Sequence, residues 1–128
     1  ESRLTKLNDK KEKSVVWVPL DSSLINNETF NTIWHPVAKK NKILFVSGIK
    51  KLASPELSFC VFSMSPLVKD LSSQVEEMVD SILNQGIEAS EIGIEDVLTS
   101  EKYLNRAKAD TLNIGIKEEL LSSIKILE

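Results

Sequence analysis

The sequence predicts an α+β fold in which two to four helices cover a small, mostly antiparallel sheet of three or four strands, with an α/β fold as the alternative. Three apolar segments of strand length lie in the first half of the chain, and one amphipathic helical pattern follows them. The chain has 128 residues, which suits one domain of ordinary size. We interpret residues 1–14 as a polar arm or linker and residues 15–128 as a single domain.

The three predicted strands are rich in β-branched, aliphatic and aromatic residues. Residues 15–20 (VVWVPL) form the first, with Pro19 ending it or placing it at an edge, and residues 42–49 (KILFVSGI) form the second. Residues 57–64 (LSFCVFSM) are apolar on both faces, which is typical of a central strand. Because the connection over residues 48–56 is short, we expect a hairpin between the second and third strands.

The helical pattern begins after the third strand. Residues 21–36 (DSSLINNETFNTIWHP) lack a clear period and predict an irregular segment with one helical turn. Ser65 and Pro66 then suit a helix start, and Gly86 suits its end. Between them an apolar stripe repeats every three or four residues, and we expect it to pack on the sheet; its members are Leu67, Leu71, Val75, Met78, Val79 and Ile82. Residues 116–127 (IKEELLSSIKIL) predict a last helix.

Composition bounds the class of protein. Hydrophobic residues make up 41% and charged residues 27%, as in an average globular domain. The single cysteine, Cys60, permits no internal disulfide, which favours an intracellular protein of the cytoplasm or nucleus. No apolar run approaches the ~20 residues of a membrane span, so we expect no membrane partner.

Charge is unevenly distributed along the chain. Residues 1–54 hold ten basic and five acidic residues, a net charge of +5, whereas residues 55–128 hold six and fourteen, a net charge of −8. The two halves sum to the overall −3. This asymmetry is typical of a basic contact surface beside an acidic one, or of acidic helices joined by basic loops.

A short repeat occurs in the acidic half. IGIEDVLTS at residues 92–100 returns as IGIKEELLS at residues 114–122. The apolar-Gly-apolar pattern resembles the hairpin of helix-hairpin-helix DNA-binding modules, in which amides at a helix start hold a phosphate. Acidic residues would occupy the first turn of each helix and repel a phosphate, so we assign both copies to helix entry and core packing.

The sequence carries no catalytic, metal-binding or cofactor signature. His35 is the only histidine, and Cys60 lies within an apolar strand, where a thiol is usually an inert small hydrophobe. A nucleophilic cysteine needs exposure and a neighbouring base. We therefore expect no catalytic residue, no metal, no cofactor and no enzyme activity.

Two sets of residues are candidates for contact with other molecules. Lysines flank the second strand at opposite ends, where they could border a nucleic-acid or protein surface or only solvate an apolar strand; they are Lys39, Lys40, Lys42, Lys50 and Lys51. Phe30 and Trp34 could form a ridge for a partner or a plug at the end of the sheet.

These observations favour a non-catalytic binding domain of a larger intracellular protein, which contacts a protein partner or a second copy of itself as a homodimer. The alternative is a nucleic-acid-binding or ribonucleoprotein domain that uses the lysines to contact RNA or DNA.

Overall fold

The structure is a computed structural model that describes residues 14–40 and 42–128. The expected polar arm lies outside these residues, except for Ser14. The chain divides into two compact units, of which unit 1 joins Glu1–Met64 with Lys102–Glu128, and unit 2 is Ser65–Glu101. The polypeptide therefore passes from one unit to the other twice.

Five strands form one mixed sheet in chain order, and they are β1 (Val15–Val18), β2 (Leu44–Ser47), β3 (Phe62–Pro66), β4 (Ser100–Asn105) and β5 (Lys125–Leu127). β1, β2 and β3 are parallel, and β5 is parallel to β4. β4 runs against β3, because the N–H of Asn105 donates to Val61 at one end and the N–H of Leu67 donates to Thr99 at the other. The structure is of the α/β type.

The expected antiparallel sheet was therefore wrong for its first three strands, and so was the hairpin between the second and third. The connection from β2 to β3 begins with a 3₁₀ turn over Lys50–Ala53 and continues through Ser58, whose φ of 43° is left-handed. The N–H of Cys60 then donates to the carbonyl of Leu52 (2.8 Å). This connection brings the chain back to the end of the sheet at which β2 begins, so that β3 runs in the same direction as β2.

Residues 21–36 are more helical than the sequence predicts. They hold α1 (Asn27–Thr29), a π-helical turn (Phe30–Trp34) and the start of α2 (His35–Lys40). Asn26 starts it with a capping box, in which its side chain accepts from the N–H of Thr29 and the Thr29 hydroxyl accepts from the N–H of Asn26.

The other helices are α3 (Val68–Leu83), α4 (Ala89–Ile92), α5 (Arg106–Thr111) and α6 (Glu118–Leu121). The last helix expected from the sequence was therefore largely wrong, because most of residues 116–127 form the short α6 and the strand β5. The two copies of the repeat also differ. Gly93 ends α4 with a φ of 73°, whereas Gly115 precedes α6.

The main core of unit 1 lies between the sheet and the helices of residues 27–40. Phe45 and Phe59 are fully buried and stack with ring centroids 4.7 Å apart. A smaller cluster around Val61, Leu104 and Ala109 lies under residues 112–124. Burial of these side chains is the main source of the stability of the unit.

Unit 2 consists of α3, α4 and the strand ends beside them. Gln74 is the only buried residue of α3; its amide donates to the carbonyl of Asp96 (3.1 Å) and accepts from the N–H of Leu98 (3.2 Å). These bonds hold residues 96–98 against the helix. Four side chains of the expected apolar stripe are not buried within unit 2, and they are Leu71, Val75, Val79 and Ile82. Packing of this stripe on the sheet stays a prediction.

Candidate functional site

The carboxyl ends of β1, β2 and β3 lie at one edge of the sheet, because the three strands are parallel. In open α/β sheets, ligands bind outside the carboxyl ends of the strands. We call this region of unit 1 the carboxyl edge and define it as residues 19–24, which follow β1, and residues 48–51, which follow β2. It is the candidate functional site.

The loop after β1 is built around Asp21. The Asp21 carboxylate accepts hydrogen bonds from the backbone N–H of Ser23 (2.8 Å) and from the Ser23 hydroxyl (2.6 Å). The Asp21 carbonyl accepts from the N–H of Leu24 (3.1 Å) and of Ile25 (2.8 Å). The hydrogen bonds from Ser23 hold the pKa of the Asp21 carboxyl below its ordinary value. This edge therefore presents an exposed, ionised carboxylate in a defined turn.

Gly48 is the point at which three chain segments meet. A Cβ atom at Gly48 would lie 3.1 Å from Cδ1 of Leu20 and 3.8 Å from the carbonyl oxygen of Met64. Leu20 belongs to the loop after β1, and Met64 belongs to β3. The absence of a side chain at Gly48 thus lets the β1 loop close over the end of β2. Beside it, the Ser47 hydroxyl accepts from the N–H of Ile49 (3.0 Å) and shapes the exit of the chain from β2.

A cationic group also lies at the carboxyl edge. Nζ of Lys50 is 4.5 Å from the ring centroid of Tyr103, which is a cation–π contact. Tyr103 is buried, so the contact restricts the position of the Lys50 side chain. The edge therefore holds a carboxylate and an ammonium group, which are polar groups of the kind that line sites for small polar molecules.

A small polar cavity of about 260 Å³ lies elsewhere in unit 1, and its lining includes His35, Lys39, Glu56, Ser58 and Lys108. Partial burial lowers the pKa of the Lys108 ammonium, with a smaller opposing effect from Cys60. The carboxylate of Glu56 has a lowered pKa, chiefly because the Ser54 hydroxyl donates to it. The cavity therefore holds the Glu56 carboxylate as a counter-charge to the ammonium groups of Lys39 and Lys108.

Cys60 is not placed for nucleophilic chemistry. Its side chain is fully buried, and burial raises the pKa of the thiol to about 12. Almost none of the reactive thiolate is present at neutral pH. Within residues 14–40 and 42–128, no three His, Cys, Asp or Glu side chains are grouped closely enough to hold a metal ion.

The candidate lysines are divided between two ends of β2, as the sequence spacing predicted. Lys39 and Lys40 end α2, and Lys42 lies just before β2. Lys50 and Lys51 lie in the 3₁₀ turn after β2, at the carboxyl edge. A role for these lysines in contact with nucleic acid or a protein stays a prediction.

Phe30 and Trp34 pack against the main core. The Phe30 ring lies edge-on to Phe59 with centroids 5.2 Å apart, and the Trp34 ring lies edge-on to Phe45 at 6.3 Å. Nε1 of Trp34 donates to the carbonyl of Leu24 (2.8 Å). Both residues remain partly accessible, and contact of their outer atoms with a partner stays a prediction.

The face of the sheet opposite the main core carries exposed apolar side chains. We call it the open face and define it by Val15, Trp17, Leu44, Val46 and Phe62, which the strand register places on one side. Val15 and Trp17 are each more than half exposed. An apolar groove of about 380 Å³ lies between this face and residues 114–124. Parallel strands are usually covered on both faces, so this face is incompletely covered.

The carboxyl edge was not predicted from the sequence. Asp21 directly follows the first predicted strand and Gly48 lies near the end of the second, and these positions were the available signal. The expected hairpin concealed it, because adjacent antiparallel strands end at opposite edges of a sheet. The parallel direction of the strands is what brings the two loops together.

Comparisons with known proteins find two solved structures with a similar fold. No protein-family model matches the chain, and no curated protein matches it. The structure resembles a conserved domain protein from Vibrio cholerae O1 biovar eltor with a TM-score of 0.66 and 18% identity, covering 99% of this chain and 40% of that one. It also resembles the ligand-free, open structure of a substrate binding protein with adhesive properties from Clostridium difficile, with a TM-score of 0.63 and 16% identity, covering 99% of this chain and 39% of that one.

This likeness shows the fold alone. The chain spans about two fifths of the length of each of these two structures. None of the helices in the described part of the chain is both long and apolar enough to cross a membrane. Over nearly its whole length, the fold of the chain is similar to part of each of these two structures.

Proposed function

We propose that this chain is the ligand-binding part of a substrate-binding protein, and that a small polar molecule binds at the carboxyl edge of unit 1. The observation that carries the proposal is the meeting of the loops after β1 and β2 at Gly48, where the parallel strands end. The similarity in fold to a substrate binding protein supports it. In this role the protein binds a ligand without catalysing a reaction, as the sequence favours.

The chemistry of the edge favours a polar ligand. Asp21 offers carboxylate lone pairs beyond those that accept from Ser23. Lys50 offers N–H donors above the Tyr103 ring. A molecule with donor groups can bind the Asp21 carboxylate and a molecule with acceptor groups can bind the Lys50 ammonium, whereas an apolar molecule offers neither.

A thermal-shift screen tests the proposal. Free amino acids, monosaccharides, nucleosides and small dicarboxylates are added to the purified protein, and any compound that raises its melting temperature is measured by calorimetry. We expect one class to bind, since a ligand that binds only the folded state stabilises it.

Matched variants then locate the site. Asp21→Asn keeps an oxygen that can accept from Ser23 but removes the charge, and we expect it to weaken binding about tenfold. Gly48→Leu fills the junction beside Leu20 and should abolish binding. Lys39→Ala, away from the edge, should bind as the wild type does. If no compound binds, or if Asp21→Asn and Gly48→Leu bind as tightly as the wild type, the proposal is wrong.

Contact with a protein partner or a second copy is the second candidate function. The exposed apolar side chains of the open face favour it, because large apolar patches mark interaction sites. Sedimentation velocity of the wild type and of Trp17→Glu tests self-association. A dimer that the charged variant dissociates would support it, and a monomer at every concentration would exclude a homodimer.

A further inference from the structure

We infer that the small polar cavity of unit 1 binds a small oxyanion of the size of phosphate, through the ammonium groups of Lys39 and Lys108 and the ring of His35. The volume of the cavity, about 260 Å³, is several times the share of one water molecule in the liquid, which is about 30 Å³. The cavity is a different site from the carboxyl edge, and the inference goes beyond the proposed function.

The cavity lies towards the edge of the sheet opposite to the carboxyl edge. Lys39 is near the end of α2, which precedes β2, and Ser58 precedes β3. The N–H of Asn105 donates to the carbonyl of Val61 (2.9 Å), so the start of α5, with Lys108, lies beside the start of β3. Three segments that are distant in sequence therefore form the walls of the cavity.

Two of these walls are joined by the side chain of Asn105, which is fully buried. Its Oδ1 accepts from the N–H of Lys108 (2.8 Å), and its Nδ2 donates to the carbonyl of Ser54 (3.4 Å). The N–H of Ser58 donates to the same carbonyl (2.8 Å). The first turn of α5 and the segment before β3 are thus held together without a ligand, which lowers the cost of binding one.

Positive charge exceeds negative charge in the lining of the cavity. Lys39 and Lys108 supply two ammonium groups, whereas Glu56 supplies one carboxylate. The pKa of the Glu56 carboxyl is lowered chiefly by the Ser54 hydroxyl and in smaller part by Lys51, which is not in the lining. Among the residues that the structure describes, no carboxylate forms an ion pair with Lys108. A bound anion would supply a counter-charge to this partly buried ammonium group.

The lining also offers hydrogen-bond donors that suit several oxygen atoms at once. Lys39 and Lys108 carry three N–H donors each and no acceptor, and the Ser58 hydroxyl and the His35 ring can donate as well. The His35 ring stacks on Phe30 with centroids 5.7 Å apart, which restricts its orientation. Partial burial lowers the pKa of the Lys108 ammonium, and a bound anion would oppose this effect by favouring the charged form. Charge-assisted hydrogen bonds of this kind are the strong ones, and an oxyanion accepts several of them.

A nuclear magnetic resonance titration of the full chain with inorganic phosphate tests this inference. It is run in Tris–chloride buffer at constant ionic strength, so that chloride is the competing anion throughout. Lys108→Gln removes the partly buried charge, and Lys117→Gln is the matched control, because it removes the same charge from an exposed residue outside the cavity. Glu56→Gln removes the carboxylate of the cavity but keeps an oxygen that can accept from Ser54.

We expect saturable binding with the largest amide shift changes in residues 35–39, 56–58 and 105–108. Lys108→Gln should raise the Kd for phosphate about tenfold, because it removes a hydrogen-bond donor that is charged. Glu56→Gln should lower the Kd about threefold, because it removes a like charge from the site. Lys117→Gln should leave the Kd unchanged.

Absence of saturation, or shift changes centred on residues 48–51, would overturn the inference. So would equal weakening by Lys108→Gln and Lys117→Gln, or a Glu56→Gln variant that binds phosphate no more tightly than the wild type. If Lys108→Gln does not fold, the response of Glu56→Gln and the position of the shift changes decide. The thermal-shift screen contains no inorganic phosphate, so this inference and the proposed function can each fail while the other stands.

Discussion

Replacement of Phe59 by alanine is expected to lower the free energy of unfolding by about 4 kcal/mol. Phe59 is fully buried, and its ring packs on Phe45, Phe30 and Trp34 with centroid distances of 4.7, 5.2 and 6.4 Å. A buried phenylalanine removes about 200 Å² from water, which at about 25 cal/mol per Å² contributes about 5 kcal/mol. Alanine retains a small part of that burial, so most of it is lost.

Phe62→Ala is the matched control. Phe62 lies two residues beyond Cys60 on the open face and is only partly buried, so we expect a loss of about 2 kcal/mol. Urea denaturation followed by tryptophan fluorescence measures both losses, and Trp34 reports directly on the ring cluster. A loss from Phe62→Ala equal to or larger than that from Phe59→Ala would refute the assignment of the main core to the helix-covered face.

Three further predictions concern unit 1. Burial raises the pKa of Cys60 from 9.0 to about 12, so the folded chain keeps a proton that the unfolded chain loses. Stability should therefore fall between pH 9 and 12 by up to about 1.4 kcal/mol per pH unit more in the wild type than in Cys60→Ala, and identical pH profiles from denaturation curves would contradict this. Asn26→Ala removes the cap from α1 and should cost about 1 kcal/mol in chemical denaturation, whereas Asn27→Ala should be nearly neutral; equal costs would argue against the capping box. The nucleic-acid hypothesis predicts salt-dependent binding of a fluorescent RNA that falls when Lys39 and Lys40 become glutamate, and no binding at low salt would remove it.

The sequence identified those parts of the fold that depend on local patterns. β1 and β2 lie within the predicted segments, because dense β-branched and aromatic residues favour strands irrespective of their partners. The long helix α3 was also predicted, since its stripe repeats over four turns. The strand β3 begins five residues later than the predicted segment, because Leu57, Phe59 and Cys60 pack in the main core outside the strand.

Strand direction could not be predicted from these patterns. An apolar strand looks the same whether its neighbour is parallel or antiparallel, and the short link after β2 favoured a hairpin. The helical segment from Asn27 to Lys40 was missed because its asparagines and threonines are poor helix formers in isolation. The capping box at Asn26 and the packing of Phe30 and Trp34 on the core stabilise this segment. The carboxyl edge exists because the strands are parallel. It was missed because the direction of the strands was not predicted.

The apolar stripe of α3 shows a second limit of sequence patterns. The period of the stripe predicts an apolar face of the helix, but it carries no information about what covers that face. The nearest candidate in the sequence is the sheet, and packing of the stripe on the sheet stays a prediction. A pattern within one segment predicts the amphipathic face, whereas its partner depends on the tertiary arrangement.

The most direct test of ligand binding at the carboxyl edge is a nuclear magnetic resonance titration with the compound that the thermal-shift screen selects. Amide resonances are followed across the described chain, and shift changes are placed on the structure. We predict that the largest changes fall in residues 19–24 and 48–51, around Asp21 and Gly48. Changes centred instead on the cavity beside His35 and Lys108, or on the groove of the open face, would contradict the account.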